Sequence, residues 1–126
     1  MTLPHPLPDE LVELIARRFR LIAEPTRIRL LDQLRDGEQT VNTLATRTGA
    51  GQQNVSKHLT ALAEAGIVGR RKQGNHVYYR IADATVLELC EQVCGSLEQQ
   101  LHTLAAAVAG TRPSRRRAAR RPAVAR

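Results

Sequence analysis

The chain has 126 residues, 42% of them hydrophobic and only Phe19, Tyr78 and Tyr79 aromatic, which leaves room for one small domain with an aliphatic core. No apolar run approaches the ~20 residues of a membrane span, and the N-terminus lacks the basic and apolar regions of a secretion signal, so we expect a cytoplasmic protein. The net charge of +7 is uneven: seven of the 19 basic residues lie between Thr111 and Arg126, which leaves 12 basic residues against 12 acids in residues 1–110.

A Pro-rich lead-in over residues 1–8 precedes the first predicted helix. Asp9 is a candidate cap for that helix, which carries one apolar stripe. Glu24-Pro25 should break and restart the chain, because Pro is tolerated in a first helical turn and disfavours helix in the residue before it. The second helix should end near Asp36-Gly37, and its predicted inward-facing residues are Ile28, Leu30, Leu31 and Leu34.

A short third helix, capped by Thr40 and ending at Thr48-Gly49, leads into a fourth helix with two different faces. Val55, Leu59 and Leu62 recur at the spacing of a buried stripe. The opposite face carries small and hydrogen-bonding side chains, which suit base edges and phosphates in a major groove. The candidate DNA-contacting residues of this helix are Gln52, Gln53, Asn54, Ser56, Lys57, His58 and Thr60.

Two short β-prone runs, residues 67–72 and 76–81, flank the turn Gln73-Gly74-Asn75 and predict a basic hairpin. A basic hairpin after a recognition helix is called a wing, and it would place cations beside the DNA backbone. The alternative is a hairpin that covers the core through Val68, Val77 and Tyr79, and the two roles are compatible. The candidate DNA contacts of the hairpin are Arg71, Lys72, Asn75 and His76.

The last predicted helix, residues 84–108, has an apolar heptad seam that needs a partner, and a second copy of the chain is the simplest one. The predicted dimer interface comprises Leu87, Cys90, Cys94, Leu97, Leu101 and Leu104, and Val108 continues the seam. The fold class is therefore mainly α with a two-stranded β-hairpin: a winged helix-turn-helix with five helices, forming a homodimer. Residues 9–110 would form the DNA-binding and dimerisation domain.

Residues 111–126 are rich in arginine, contain Pro113 and Pro122, and show no apolar periodicity. This composition predicts a disordered tail that could raise affinity for phosphates without recognising sequence. The alternative is a solubilising extension with no specific function.

Three segments closely resemble the ArsR/SmtB family of bacterial winged-helix repressors: residues 23–31 (AEPTRIRLL), residues 55–59 (VSKHL) with Leu62, and residues 74–80 (GNHVYYR). The resemblance covers about residues 9 to 104. It implies a homodimer that binds operator DNA near a promoter and releases it when an inducer, often a metal ion, is bound. It also implies that Gln52 to Ala65 is the DNA-contacting helix and that Val68 to Ile81 is the wing.

The sensing residues depart from the best-known patterns of this family. One pattern needs cysteines within Glu38 to Leu44, and there are none. The zinc-type pattern, Asp-x-His followed after ten residues by His-x-x-Glu, falls here on Asp83, Thr85, Ser96 and Gln99, so only the aspartate remains. Neither site can be carried over to this chain.

The remaining candidates for a metal or redox site are Cys90, Cys94, His5 and His102. Cys90 and Cys94, one helical turn apart, could bind one soft ion with further ligands from a second subunit. His102 lies about 12 Å beyond Cys94 along the helix and could join them only across a dimer. His5 is a candidate because some nickel-responsive relatives use an N-terminal His. The alternative is that both cysteines are small hydrophobic residues packing in the seam.

The sequence therefore predicts a DNA-binding transcriptional repressor, modulated by a transition metal such as nickel or zinc or by another inducer. A thiol-based redox sensor using Cys90 and Cys94, and a dimeric DNA-binding module without an inducer, are the alternatives. No enzyme is predicted, since the chain has no Cys-x-x-Cys, no Gly-rich phosphate loop and no recognisable nucleophile motif.

Overall fold

The computed structural model describes residues 2–111, and the chain divides between Ala84 and Thr85 into two compact units. The first unit holds four helices and a small sheet, and the described part of the second is a single long helix, α5 (Thr85–Thr111). Within the described residues, no helix is long and apolar enough to cross a membrane. The predicted Arg-rich tail lies, apart from Thr111, outside the described residues.

Helices α1 (Asp9–Ile22) and α2 (Pro25–Leu34) begin where the sequence predicts. Asp9 is not the cap of α1, however: Pro8 holds that position without a side-chain hydrogen bond, and Asp9 and Glu10 lie in the first turn, where acids favour the helix dipole. Glu24 caps α2, since its carboxylate accepts a hydrogen bond of 3.0 Å from the backbone N–H of Arg27.

The prediction is wrong for one of the four residues of α2 that were expected to face inward. Leu30, Leu31 and Leu34 are buried, but Ile28 is 45% exposed. At about 100° per residue, Ile28 points roughly 200° away from Leu30, so the two side chains cannot face the same core.

Helices α3 (Val41–Thr48) and α4 (Gln52–Glu64) form the helix-turn-helix. The Thr40 side chain accepts a hydrogen bond of 3.2 Å from the backbone N–H of Thr43, which confirms it as the cap of α3. Gly49 ends α3 with a φ of 75°, a left-handed conformation that glycine adopts without strain. The chain can therefore turn sharply and start α4 three residues later.

The sheet has three antiparallel strands, β1 (Gln39–Thr40), β2 (Val68–Gln73) and β3 (His76–Ile81), in the order β1-β3-β2. The predicted hairpin is confirmed as β2 and β3, whereas β1, which pairs Gln39 with Tyr79 and Thr40 with Tyr78, was not predicted. A two-residue strand has no visible alternation, and it exists because β3 supplies partners from a distant part of the chain. The core of this unit contains Leu30, Leu31, Leu44, Val55, Leu59, Leu62 and Ile67.

A polar network beneath α4 joins it to the junction of α1 and α2. His58 is buried on α4, and its Nδ1 accepts a hydrogen bond of 3.0 Å from Nε of Arg27. The Arg27 guanidinium also donates to the carbonyl of Leu21 at 2.9 Å, and a Glu24 carboxylate oxygen lies 3.9 Å from Nε2 of His58. The pKa of Glu24 is lowered, chiefly by the hydrogen bond from the Arg27 backbone, so its charge is present at neutral pH. This network fixes how α4 is rotated on the core.

Replacing His58 with Ala should lower the free energy of unfolding by about 1–3 kcal/mol, because Arg27 loses a buried hydrogen-bond acceptor. The adjacent Lys57 is exposed, so Lys57→Ala should change it by no more than about 0.5 kcal/mol. Urea unfolding followed by circular dichroism, at one protein concentration, compares the two variants. If His58→Ala and Lys57→Ala are equally stable, the network does not contribute to the stability of the fold.

Candidate DNA-binding surface

The exposed face of α4 gathers six of the seven residues predicted on this helix to contact DNA. Val55, Leu59 and Leu62 are fully buried on its inner side. Because these three side chains hold one side of the helix against the core, the other side faces solvent. The exposed residues are Gln52, Gln53, Asn54, Ser56, Lys57 and Thr60.

His58 does not share this exposed face, although the sequence analysis grouped it with the DNA contacts. Its ring is buried and bonded to Arg27. A side chain in that position can orient the recognition helix but does not project from it. The motif spacing could have indicated this, because His58 lies next to Leu59 and three residues from Val55, on the edge of the buried stripe.

Two hydrogen bonds organise the exposed face. The Gln52 side-chain amide donates to the side-chain oxygen of Asn42 on α3, which ties the start of α4 to the preceding helix. The Thr60 hydroxyl donates 2.8 Å to the backbone carbonyl of Ser56. The first turn of α4 has no acidic residue, and its cap, Gly51, makes no side-chain hydrogen bond. The backbone N–H groups and positive end of the helix dipole there favour a negatively charged group.

The wing, defined as β2, β3 and their turn, presents most of its cations to solvent. Arg70, Lys72 and Arg80 are exposed, as are the predicted contacts Asn75 and His76 at the turn. Among residues 2–111, Lys72 forms no ion pair. The Arg80 guanidinium lies across Gly69, where a Cβ atom would come within 2.6 Å of the Arg80 Cζ. Gly69 therefore provides the space that this arginine occupies.

Arg71, another predicted contact, is held by an acid that the sequence analysis did not identify as functional. Its Nε donates to Oε2 of Glu38 at 3.0 Å, and its Nη2 donates to Oε1 at 2.7 Å. The guanidinium also stacks on the ring of Tyr78, with 4.6 Å from Cζ to the ring centroid. The pKa of Glu38 is lowered, chiefly by the Arg71 hydrogen bond, and the pKa of Arg71 is raised by the same contact. The contact between Glu38 and Arg71 could have been predicted only from the register of β1, which brings Glu38 beside the hairpin.

The predicted sensing residues lie in both units, His5 in the first and Cys90, Cys94 and His102 on α5. Cys90 is half-buried, Cys94 is exposed, and both are free thiols. His5 and His102 are exposed. In the described part of the chain, no three His, Cys, Asp or Glu side chains lie close enough to hold a metal ion. Asp83, the remaining residue of the zinc-type pattern, lies 3.5 Å from Nη1 of Arg18.

The C-terminal part of the predicted dimer seam on α5 is exposed to solvent. Leu87 and Cys90 are half-buried, whereas Cys94 and the three following leucines are exposed. Leu97 is 53% exposed and Leu101 is 67% exposed. Large apolar side chains repeated along one helical face in this way are typical of an association surface.

The chain is similar in sequence to known transcriptional regulators. A model of the helix-turn-helix domain matches residues 22–71. The HTH-type transcriptional regulator KmtR of Mycobacterium tuberculosis (strain ATCC 25618 / H37Rv) is 40% identical over 86 residues, which cover 68% of this chain and 66% of KmtR. The HTH-type transcriptional repressor SmtB of the same strain is 37% identical over 82 residues, which cover 65% of this chain and 61% of SmtB. The chain thus spans less than two thirds of the length of these relatives, 66% of KmtR and 61% of SmtB.

Solved structures agree with the observed fold. M. tuberculosis Rv0081 aligns with a TM-score of 0.70 and 31% identity, covering 78% of this chain and 99% of that one. The antimony-specific transcriptional repressor AntR aligns with the same TM-score and identity, covering 79% and 90%. The homodimeric winged helix-turn-helix domain of Mb0332 from Mycobacterium bovis, a possible ArsR-family regulator, aligns with a TM-score of 0.66 and 33% identity, covering 80% and 94%. Together with the helix-turn-helix, the wing and the three sequence motifs, these similarities show that the chain belongs to the ArsR/SmtB family of winged helix-turn-helix transcriptional regulators.

Proposed function

We propose that the chain is a sequence-specific DNA-binding repressor that acts as a homodimer and is released from its operator by a metal ion or another inducer. The observation that carries this proposal is the surface of α4, where six polar side chains are exposed while Val55, Leu59 and Leu62 are fully buried. Gln53, Lys57 and Thr60 lie on the side opposite the buried residues. A helix anchored in this way can enter a major groove, which is about 12 Å wide, without disturbing the core.

The two parts of the surface would have different tasks. Gln53, Asn54 and Thr60 carry hydrogen-bonding groups and no charge, so they suit base edges. Lys57 on the helix and Lys72 on the wing suit phosphates, which set affinity and orientation rather than sequence preference. Asn75 and His76 at the wing turn would lie beside the backbone or minor groove. His58 would orient α4 from beneath.

Replacing Gln53 or Thr60 with Ala should weaken binding to the operator by about 1–3 kcal/mol and leave binding to random duplex almost unchanged, because base contacts are lost. The operator is first obtained by selection from a pool of random duplexes, and affinities are then measured by fluorescence anisotropy. Equal losses on both DNAs would show that these side chains contact only the backbone.

Lys72→Ala is the matched control for phosphate contact. It should weaken binding to the operator and to random duplex equally, and it should flatten the slope of log K against log salt by about one unit. A loss confined to the operator would place Lys72 at a base instead.

The homodimer would use the apolar seam of α5. Burying a leucine such as Leu97 or Leu101 contributes about 1.5–3 kcal/mol, so a seam of four or more such residues would hold two copies together. A dimer is also what a palindromic operator requires, because one winged helix contacts one half-site.

Replacing Leu97 with Glu should separate the dimer and abolish operator binding together, because the seam would then bury charged groups. Gln99→Glu adds the same charge on an exposed residue outside the seam and should change neither property. Sedimentation velocity at micromolar concentration and anisotropy on the same samples test both variants. A monomeric parent protein would contradict the proposal.

The inducer site would lie at the dimer seam and use Cys90 and Cys94. Two thiolates favour a soft ion, while zinc and nickel would be completed by imidazole from His5 or from His102 of the other copy. A bound ion there would change the angle between the two winged helices and hence the spacing of the recognition helices, about 34 Å for adjacent major grooves. A disulfide between thiols of the two subunits, formed by an oxidant, would change the angle in the same way. A chain whose DNA binding responds to neither metal nor oxidant would be a DNA-binding module without an inducer.

The double variant Cys90→Ser, Cys94→Ser should bind the operator as the parent does but should no longer be released by the ion or oxidant that releases the parent. Zinc, nickel, a thiophilic ion and peroxide are titrated separately into the operator complex. Metal release of the parent should need more metal as pH falls, because protons compete for the thiolates. If the double variant is released from the operator as the parent is, the cysteines serve only in packing. His5 and His102 would then be the remaining candidates for the inducer site.

A further inference from the structure

The Arg71 side chain lies flat on the outer face of the sheet instead of projecting from the wing. Arg71 pairs across β2 and β3 with Tyr78, and Tyr78 pairs with Thr40 on β1. From β2 the guanidinium crosses the Tyr78 ring and reaches Glu38, which directly precedes β1. Its Nη1 also donates to the side-chain oxygen of Gln73. All three nitrogens of the guanidinium therefore have partners within the protein.

The Glu38 carboxylate holds Arg71 in the geometry that arginine uses for phosphates. The contact is bidentate, through Nε and Nη2, which is also how arginine binds phosphate oxygens. A cation neutralised in this way cannot neutralise a phosphate, so it releases no counterion from DNA. Lys72, the next residue, has no such acid among residues 2–111.

Solvent reaches both members of the pair. The Arg71 and Glu38 side chains are 43% and 29% exposed, so water and salt partly screen their attraction. Water reaches both groups, so loss of the Glu38 charge would free the guanidinium without unfolding the wing. The nearest anions in a complex with duplex DNA would be backbone phosphates.

We propose that Glu38 is a positioning residue that substitutes for a DNA phosphate on Arg71 and thereby withholds one wing cation from the DNA. This inference rests on the proposed wing contact with DNA. Glu38 limits the affinity of the protein for every duplex, and a change that releases Arg71 raises that affinity without adding any new base contact. Because residues 1–110 hold equal numbers of acids and bases, one additional free cation is a substantial change in the charge available to the wing.

Glu38→Gln tests the proposal, because it keeps the shape of the side chain and removes its charge. Anisotropy on full-length protein should show affinity rising about fivefold to tenfold at ~0.1 M salt, equally on operator and random duplex, with a salt slope steeper by about 0.9. In an Arg71→Ala background the same substitution should have no effect. A similar gain in that background would mean that the lost negative charge acts directly on DNA, and a lower affinity would mean that Glu38 aims Arg71 at the backbone. Either result overturns the proposal.

Arg71→Ala alone provides a second test. It should leave affinity and salt slope close to those of the parent, in contrast to Lys72→Ala, and circular dichroism melting checks that each variant is folded. If Arg71→Ala weakens binding as much as Lys72→Ala does, Arg71 already contacts DNA and the proposal fails. If Lys72→Ala has no effect on either duplex, the proposed contact between the wing and DNA is wrong. If Lys72→Ala weakens binding but Glu38→Gln does not change it, only the proposed role of Glu38 is refuted.

Discussion

The packing of α4 on the core determines which side chains can meet DNA, and everything else on the surface depends on it. Val55, Leu59 and Leu62 are completely buried, and burying each contributes about 1.5–3 kcal/mol. A rotation of the helix by one residue, about 100°, would expose these side chains and bury polar ones. The hydrogen bond from Arg27 to His58 adds directionality that apolar packing lacks, since it is satisfied in only one orientation. The exposed face is thus fixed before any DNA arrives.

The charge of the first 110 residues is balanced, so affinity for DNA depends on where the cations lie and whether they are paired. Lys57 and Lys72 project into solvent near the helix and the wing, while Arg71 is neutralised by Glu38. Arg47 and Arg18 likewise have acidic neighbours, Asp36 at 3.6 Å and Asp83 at 3.5 Å. The number of arginines therefore overstates the cations available to phosphates, and the distribution of acids is as informative as the count of bases.

The sequence predicted the helices, the hairpin and the exposed face of α4 because these follow from local periodicity and caps. The apolar spacing of residues 55–62 and the Thr40 cap are examples. The sequence did not predict features that depend on a contact with a residue distant in the chain. Strand β1 depends on β3, and Glu38 acquires its role only through the register that brings it to Arg71. The spacing of His58 from Val55 and Leu59 was compatible with burial, but the sequence could not identify its partner, because Arg27 lies 31 residues away.

The most direct test of the central claim is an NMR titration of isotope-labelled protein with an operator half-site duplex. If α4 enters the groove as its exposed face indicates, the largest amide and side-chain shifts fall on residues 52–57 and on the wing turn. The amide signals of Leu59 and Leu62, and the imidazole of His58, should move little because the core beneath the helix does not change. Large shifts confined to α5 or to α1, with α4 unaffected at saturating DNA, would contradict the account.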